Sequence, residues 1–360
     1  MSENVITSVD QVTVAWLTNA LTRSGALDHG AVESFEVNAG EEVRLSTNAR
    51  LHMNYTPEAQ GNRPQNLFLK MVKTDPSDGF FGDSEIAYYQ RDYIGVEGAP
   101  LIRCYDAAYS EEQRRYHLLL DDLSATHTVS IYKTPTLDHG LPLAEALATL
   151  HAHWWGKARL DQGNTPLPSA AAISRYVGNS EPGVSHILDS CADQLQPHWP
   201  QAILDFFEQH PRLMTERTRS ASGFTLIHGD LNGFNILVPK EGARPIYLLD
   251  RQPFDWSLTV WLGVWDFMFP LVIDCDPEIR RQIELPVLHR YHEHLIQRGV
   301  QGYSWDQLWE DYRLSMPMSI YIVSEWNRYS LNVEAMPVWM PMLHRSMTAF
   351  DDLECAKLWS

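Results

Sequence analysis

One segment of the chain places an Asp, an Asn and a second Asp at a spacing that suits phosphoryl transfer. Asp230 precedes Asn235 by five residues, and Asp250 follows at the end of a later apolar run. In this chemistry one carboxylate orients the attacking hydroxyl, while an Asn and an Asp bind the magnesium that bridges the nucleotide phosphates. We therefore predict Asp230 as the catalytic residue and Asn235 and Asp250 as metal ligands.

Short apolar segments flank these three polar residues. Residues 225–227, 236–238 and 246–249 have the composition of brief buried strands. Such strands would hold the polar side chains rigidly at the edge of a core. The alternative is an unrelated α/β protein in which a buried Asp and Asn cap turns, because motif matches carry false positives.

A lysine within an apolar strand is the second chemical feature. Lys70 lies among the apolar residues of segment 66–73, and burial of an unpaired ammonium is unfavourable, so a partner is expected. Glu85, fifteen residues later, lies in a predicted helix over 83–94 and is the expected partner. Lys73 is the competing lysine, but three residues along a strand it would face the opposite side of the sheet.

These residues together resemble the aminoglycoside phosphotransferase and choline kinase-like superfamily, a branch of the protein-kinase-like fold. His228-Gly229-Asp230 with Asn235 is similar to the catalytic loop of that superfamily, and Leu249-Asp250-Arg251-Gln252 is similar to its metal-binding segment. The Gln resembles variants of the ecdysteroid-kinase-like branch. The resemblance covers residues 30–355, although the tight motifs are confined to 66–89 and 225–252.

The resemblance implies ATP and Mg²⁺ as cofactors and assigns further nucleotide-binding residues. Lys70 matches the lysine that contacts the α- and β-phosphates, and Glu85 matches the glutamate that orients it. Gly40 and Ser46 match a phosphate-covering loop, in which this chain has one glycine where the kinase pattern has three. Segment 121–123, with Asp121 and Leu123, resembles the hinge.

Three further residues near these motifs are expected to have structural roles. Asp266 resembles a later Asp that anchors the catalytic loop from the start of a helix, although the residues after it differ from the usual Leu-Ala. His151 belongs to a segment similar to the Leu-His-Ala of the superfamily and is expected to be structural. His228 is expected to brace the catalytic loop against the segment of Asp250, with a catalytic His as the alternative.

The elements around these motifs predict an α+β, two-lobed protein-kinase-like fold. Residues 1–120 read as a small lobe with a helix over 9–25, five antiparallel strands (32–39, 43–55, 66–73, 101–107 and 116–120) and the helix that carries Glu85. Residues 121–124 form the predicted hinge. Residues 125–360 form a larger, mainly helical lobe, with helices predicted over 141–155, 187–192, 204–209, 277–299, 305–329 and 339–358.

The bulk composition limits the classes of partner. The formal net charge of −18, from 28 Lys plus Arg against 46 Asp plus Glu, disfavours nucleic acid and anionic membranes. It suits a cationic acceptor such as an amino alcohol, or it serves solubility alone. No apolar stretch reaches the ~20 residues of a membrane span, and four scattered cysteines suit reduced thiols in a cytoplasmic protein.

The sequence therefore predicts an ATP- and Mg²⁺-dependent kinase that phosphorylates a hydroxyl of a small molecule. The alternative is a catalytically silent nucleotide-binding regulator, a pseudokinase. Eleven of the twelve tryptophans follow residue 150, and they either pack the core or line a pocket for a large or ring-containing acceptor. The identity of that acceptor, a metabolic or an antibiotic-modifying role, and the oligomeric state stay open.

Overall fold

The computed structural model describes residues 5–43, 46–74, 82–252 and 254–359, with the backbone alone for residues 39–43. The strands, in chain order, are β1 (Leu27–His29), β2 (Val32–Val43), β3 (Ser46–Tyr55), β4 (Gln60–Gly61), β5 (Asn66–Lys73), β6 (Cys104–Ser110), β7 (Arg115–Asp121), β8 (His127–Val129), β9 (Phe224–Leu226), β10 (Ile236–Pro239), β11 (Tyr247–Leu248) and β12 (Val260–Leu262).

The α-helices are α1 (Val14–Arg23), α2 (Ser84–Ala87), α3 (Leu137–His153), α4 (Lys157–Gln162), α5 (Ala170–Ser180), α6 (Pro182–Cys191), α7 (Trp199–Arg217), α8 (Pro277–Gln297), α9 (Trp305–Ser315), α10 (Ser319–Glu325) and α11 (Met336–Asp352). Two π-helical segments, Tyr88–Asp92 and Met268–Ile273, and a 3₁₀ turn at Gly263–Phe267 complete the elements near the site.

A five-stranded antiparallel sheet forms the smaller part of the fold. Its strand order is β2-β3-β5-β7-β6, and every neighbouring pair is antiparallel. In β5, Leu67 and Leu69 are fully buried on one face in a core shared with α1. Phe68 and Lys70 face the other side, since side chains alternate along a strand. This alternation points Lys70 into a cleft.

Helices form the larger part, in which α3 packs against α8 and one extensive core includes four fully buried tryptophans, Trp199, Trp261, Trp265 and Trp339. Three-stranded β8-β10-β11 and two-stranded β9-β12 frame the catalytic segment. The architecture is the predicted α+β fold, a small antiparallel sheet joined to a helical part. No helix of the described ranges is long and apolar enough to cross a bilayer.

Sequence reasoning located the five strands of the main sheet with end shifts of up to four residues, but several helical predictions were wrong. The single helix expected over 305–329 is interrupted at Met316–Met318, where Pro317 has no N–H to donate to the helical ladder. Helix α5 was missed, although Ser169 caps it by accepting a hydrogen bond from the Ala172 N–H. The helix that carries Glu85 has only one α-helical turn before it continues as a π-helix.

The helical core predicts a large cost for loss of one central ring. Phe206 is fully buried, and its ring centroid lies 4.6 Å from those of His210 and Tyr321. Phe206→Ala should lower the free energy of unfolding by about 3–5 kcal/mol. Leu204→Ala on the same helix, where the side chain is 47% exposed, is the control and should change it by less than about 0.5 kcal/mol. Chemical denaturation measures both, and equal midpoints would contradict this packing.

Candidate active site

Lys70 is the centre of the predicted nucleotide-binding group. Its Nζ lies 2.9 Å and 3.0 Å from the two carboxylate oxygens of Glu85 on α2, so the predicted contact is present. The same Nζ lies 2.7 Å from Oδ1 of Asp250. Lys73 is exposed, as expected for the opposite face. One ammonium thus joins strand β5, helix α2 and the segment after β11.

The ionisation of this group follows from its pairing. Burial alone lowers the pKa of Lys70, but Asp250 and Glu85 outweigh it and raise the pKa above its ordinary value. Burial raises the pKa of Asp250, yet the Lys70 ammonium holds that pKa below its usual range. The lysine therefore stays charged, and Asp250 stays an anion beside it.

Tyr116 is a buried partner of this pair that the sequence did not reveal. It lies on β7, and its phenol donates a hydrogen bond to Oε2 of Glu85. Glu85 is 5% exposed and so receives donors from both Lys70 and Tyr116. The strand alternation in segment 115–121 was the available signal, because it places Tyr116 on the face of the sheet that packs against α2.

Asp230 lies in the loop between β9 and β10. Its carboxylate accepts hydrogen bonds from Nδ2 of Asn232 at 2.9 Å and from Nδ2 of Asn235 at 3.2 Å. The Asn235 amide also donates to the Asp230 carbonyl at 2.7 Å. The structure therefore brings the predicted catalytic Asp and one predicted metal ligand into direct contact.

The environment of Asp230 also changes its acidity. Burial raises the pKa of this carboxyl to about 7, with the nearby Asp250 acting in the same direction and the Asn232 hydrogen bond acting against them. An ordinary Asp with a pKa near 3.9 is a weak base at neutral pH. A carboxyl poised near 7 is suited to accept a proton there.

Asp266 holds the backbone of the catalytic loop, as the resemblance implied. Its Oδ2 accepts the His228 N–H at 2.7 Å, and its Oδ1 accepts the Gly229 N–H at 2.9 Å. The buried His151 reinforces it, with Nε2 3.0 Å from Asp266 Oδ2 and Nδ1 2.8 Å from the Tyr291 hydroxyl. His151 is thus a structural brace.

Two backbone features bring the catalytic loop against the segment of Asp250. Gln252 N–H donates to the His228 backbone carbonyl at 3.0 Å. Both ring nitrogens of His228 are buried without a hydrogen-bond partner among the described residues, so the bracing role of its side chain stays a prediction. Gly229 has φ +82°, and a Cβ there would lie 2.5 Å from Gln252 Cγ, so only glycine allows this approach. Asp250 itself has φ +54°, an unfavourable conformation for a residue with a side chain.

A cleft of about 1250 Å³ opens between the sheet and the segment that follows it. Ser46, Lys70, Asp121, Leu123 and Asp250 all line it, together with apolar side chains, of which Phe68, Ile102, Leu120, Leu237 and Leu249 are examples. The structure thus collects five of the predicted site residues around one cavity. Apolar walls with a charged end suit a planar base joined to phosphates.

One of the nucleotide assignments, Gly40, has no geometric support beyond the course of its strand. Gly40 falls in residues 39–43, where the structure describes only the course of β2. Asn48 lines the cleft and pairs across the sheet with Lys70, and its buried Oδ1 has no hydrogen-bond partner among the described residues. Asn48 is therefore placed for a direct contact with a ligand in the cleft. The roles of Gly40, Ser46, Asp121 and Leu123 stay predictions.

A comparison with solved structures finds the same architecture in enzymes that bind nucleotides. Spectinomycin phosphotransferase APH(9)-Ia, in complex with ADP and spectinomycin, aligns with a TM-score of 0.54 over 96% of this chain and 99% of its own, at 12% identity. The chain has the fold of the aminoglycoside phosphotransferases. The GDP complex of wild-type aminoglycoside 2'-phosphotransferase-IIIa aligns with a TM-score of 0.51 over 95% of this chain and 99% of its own, also at 12% identity.

The sequence comparisons add no family assignment. No protein-family model matches the chain, and a search of curated proteins finds no significant match. The resemblance to the aminoglycoside phosphotransferase and protein-kinase-like superfamily is confirmed at the level of the fold. The finer likeness to the ecdysteroid-kinase-like branch stays a prediction.

The predicted metal ligands form an incomplete donor set. Within the described residues there is no group of three or more His, Cys, Asp or Glu that could hold a metal. Magnesium commonly takes only one or two protein ligands and completes its shell with phosphate oxygens and water. Nδ2 of Asn235 donates to Asp230, so Oδ1 of Asn235 is directed away from the Asp230 carboxylate. Asn235 and Asp250 thus fit a metal that arrives with a nucleotide.

Loss of Asp266 should weaken the fold at the catalytic loop. Asp266→Ala removes the acceptor from two buried backbone N–H groups, each of which then carries a desolvation penalty of about 1–3 kcal/mol. Thermal unfolding should show a lower Tm by several degrees. Asp189→Ala, at an exposed position near the end of α6, is the control and should leave Tm nearly unchanged. An unchanged Tm in Asp266→Ala would show that another group anchors the loop.

Proposed function

We propose that this protein is an ATP- and Mg²⁺-dependent kinase that transfers the γ-phosphoryl group to a hydroxyl of a small molecule. The observation that carries the proposal is the position of the Lys70–Glu85–Asp250 group and the Asp230–Asn235 pair around adjoining clefts. The nucleotide-bound phosphotransferases that share the fold support the same reading. The division into lobes at 1–120, 121–124 and 125–360 is part of this proposal.

In the nucleotide cleft, Lys70 would bind the α- and β-phosphates, with Glu85 and Tyr116 fixing its direction. Asn235 and Asp250 would hold magnesium, which supplies charge neutralisation for the phosphates when it is bound. Leu123 and the apolar walls would enclose the base, and Asp121 would border it. Lys70, Asp121, Leu123 and Asp250 line the cleft, and the Asn235 carbonyl accepts the N–H of Leu249 in its wall.

In the transfer step, the acceptor hydroxyl oxygen forms a bond to the γ-phosphorus as the bond to the β,γ-bridging oxygen breaks. The hydroxyl proton passes to the Asp230 carboxylate, and ADP leaves with the electron pair of the broken bond. Because the transition state is loose, positioning contributes more than early proton removal. The raised pKa of Asp230 suits it to take the proton at the end of the step.

A pseudokinase is the competing function. The polar residues expected of an active site are all present in two groups at adjoining clefts. Lys70 contacts Glu85 and Asp250, and Asp230 contacts Asn235. Magnesium-dependent ATP hydrolysis that EDTA abolishes would support the kinase. ATP binding without hydrolysis or transfer to any acceptor would support the regulator.

The two lysines of β5 give a matched test of the nucleotide site. Lys70→Ala removes a charge-assisted contact to phosphate and should weaken ATP binding by roughly 10- to 100-fold. Lys73 is exposed on the other face of the same strand, so Lys73→Ala should leave ATP affinity unchanged. Isothermal titration with ATP and Mg²⁺ measures both. The reverse pattern would remove Lys70 from the phosphate site.

Asp230→Asn separates chemistry from nucleotide binding. The substitution keeps the shape of the side chain but removes the proton acceptor, which is worth about 10²–10⁴-fold in rate. Turnover should fall within that range, while ATP affinity changes little, because Asn235 and Asp250 hold the metal. Steady-state kinetics and ATP titration test it. A large loss of ATP affinity with near-normal turnover would instead make Asp230 a metal ligand.

A further inference from the structure

A buried ion pair joins the residue directly after Asp250 to the helix that carries Glu85. Nη1 of Arg251 contacts Oδ2 of Asp92, and the two side chains are 7% and 4% exposed. Buried charges are tolerated only when they are paired, so each of these residues needs the other. Neither is among the described residues that line the nucleotide cleft, and the proposed transfer step uses neither.

The helical run formed by α2 and the π-helical segment after it lies along the segment that contains the predicted metal ligand. Ser84, Tyr88 and Asp92 are spaced by four residues along this run. Ser84 Oγ donates to the Gln252 carbonyl at 3.1 Å, and the Tyr88 hydroxyl donates to the Leu248 carbonyl at 3.3 Å. These two contacts hold the backbone on either side of the metal ligand. The ion pair of Asp92 holds the residue next to it.

The backbone of Asp250 needs such support. Its φ of +54° lies in the left-handed region, which is unfavourable for a residue with a side chain and persists only where surrounding contacts impose it. Lys70 contacts the Asp250 carboxylate at 2.7 Å, but a bound metal would share that carboxylate with the ammonium. The lysine is then a weaker anchor. The ion pair of Arg251 does not involve the carboxylate, so it can hold the backbone whether or not a metal is bound.

The Asp92 side of the pair is fixed to the helical core. The Asp92 carbonyl accepts a hydrogen bond from Trp154 Nε1 at 3.0 Å, and its Oδ1 accepts from Arg91 Nε at 2.9 Å. Trp154 is itself buried in that core. Because the backbone and the carboxylate of Asp92 are both held, the position of Arg251 is set by the packed protein and not by a ligand in the cleft.

From these contacts we infer that Arg251 is a positioning residue for the metal site. Its ion pair with Asp92 keeps the backbone of Asp250 in the left-handed conformation that directs the carboxylate into the cleft. Without the pair, residue 250 has more conformations to lose when a metal binds, and the metal binds more weakly. This inference rests on the proposed kinase function and adds a residue that lies behind the metal ligand, outside the cleft.

Removal of the whole pair tests this role. A single substitution leaves a buried charge without its partner and destabilises the fold strongly, whereas replacing both partners with uncharged side chains costs little. The test variant is therefore Asp92→Asn/Arg251→Met in the full chain. Isothermal titration with ATP, with Mg²⁺ and again in EDTA, measures how much the metal tightens ATP binding. That gain should shrink by about tenfold or more, while the affinity in EDTA should stay the same.

Hydrogen exchange gives a readout that needs neither metal nor activity. The Gln252 N–H donates to the His228 carbonyl, and the Leu249 N–H donates to the Asn235 carbonyl, so these two bonds flank residue 250. In the metal-free double variant the Gln252 N–H should exchange about tenfold faster or more, because local opening becomes easier. The N–H groups of α7 are the internal reference and should not change. Equal protection of the Gln252 N–H in both proteins would show that the backbone is held without the pair and would overturn the inference.

Two further variants separate positioning from stability. Arg251→Lys keeps a positive charge opposite Asp92 and should retain most of the gain in ATP affinity from Mg²⁺. Arg217→Met breaks another buried ion pair, with Asp311, which lies outside both clefts. It should lower Tm but leave the gain unchanged. A gain that shrinks as much in Arg217→Met as in the double variant would make the effect one of general stability and refute the role of Arg251.

Failure of the proposed function gives a different pattern. The wild-type protein would then bind ATP no more tightly with Mg²⁺ than in EDTA, Lys70→Ala would leave ATP affinity unchanged, and the inference would fail with the function. A gain from Mg²⁺ that is present in the wild-type protein and kept in full by the double variant would refute the role of Arg251 alone.

Discussion

The ammonium of Lys70 is the constraint on which the proposed nucleotide site of this protein depends. A buried charge is tolerated only when it is paired, and this one is paired twice, with Glu85 and with Asp250. The two carboxylates come from elements far apart in sequence, so satisfying one lysine fixes the sheet, the short helix and the segment after β11 relative to one another. The arrangement also holds Asp250 as an anion at the edge of the cleft, where a cation would bind.

The buried carboxylate of Asp266 holds the catalytic loop in place, as the buried ammonium of Lys70 holds the elements around the cleft. Asp266 accepts two successive backbone N–H groups of that loop, and His151 and Tyr291 support it from α3 and α8. Because these groups are buried, the loop has few alternative conformations that satisfy them. Asp230 is thereby held in an environment where burial raises its pKa, while its hydrogen bonds to Asn232 and Asn235 limit its rotation.

The two clefts differ in the charge and the exposure of the side chains that line them. The nucleotide cleft has a charged end, with Lys70 and Asp250, and apolar walls that suit a base. The second cleft, which Asp230, Phe234 and Trp326 line, has carboxylates that are already paired and aromatic side chains that are open to solvent. The excess of acidic residues in the composition suggested a cationic acceptor, but composition counts residues without their partners.

The sequence by itself determined the motif residues, the main strands and the face on which Lys70 lies, because these follow from local spacing and from the two-residue period of a strand. It also favoured the Lys70–Glu85 contact, since a buried ammonium needs a partner. Only the tertiary structure decided the partners that come from distant segments: Tyr116 for Glu85, His151 for Asp266, and Gln252 beside Gly229. The tertiary structure alone also decided the pKa of Asp230 and the walls of the second cleft. Both depend on burial by residues from many elements, and the sequence pattern of any one element does not show that burial.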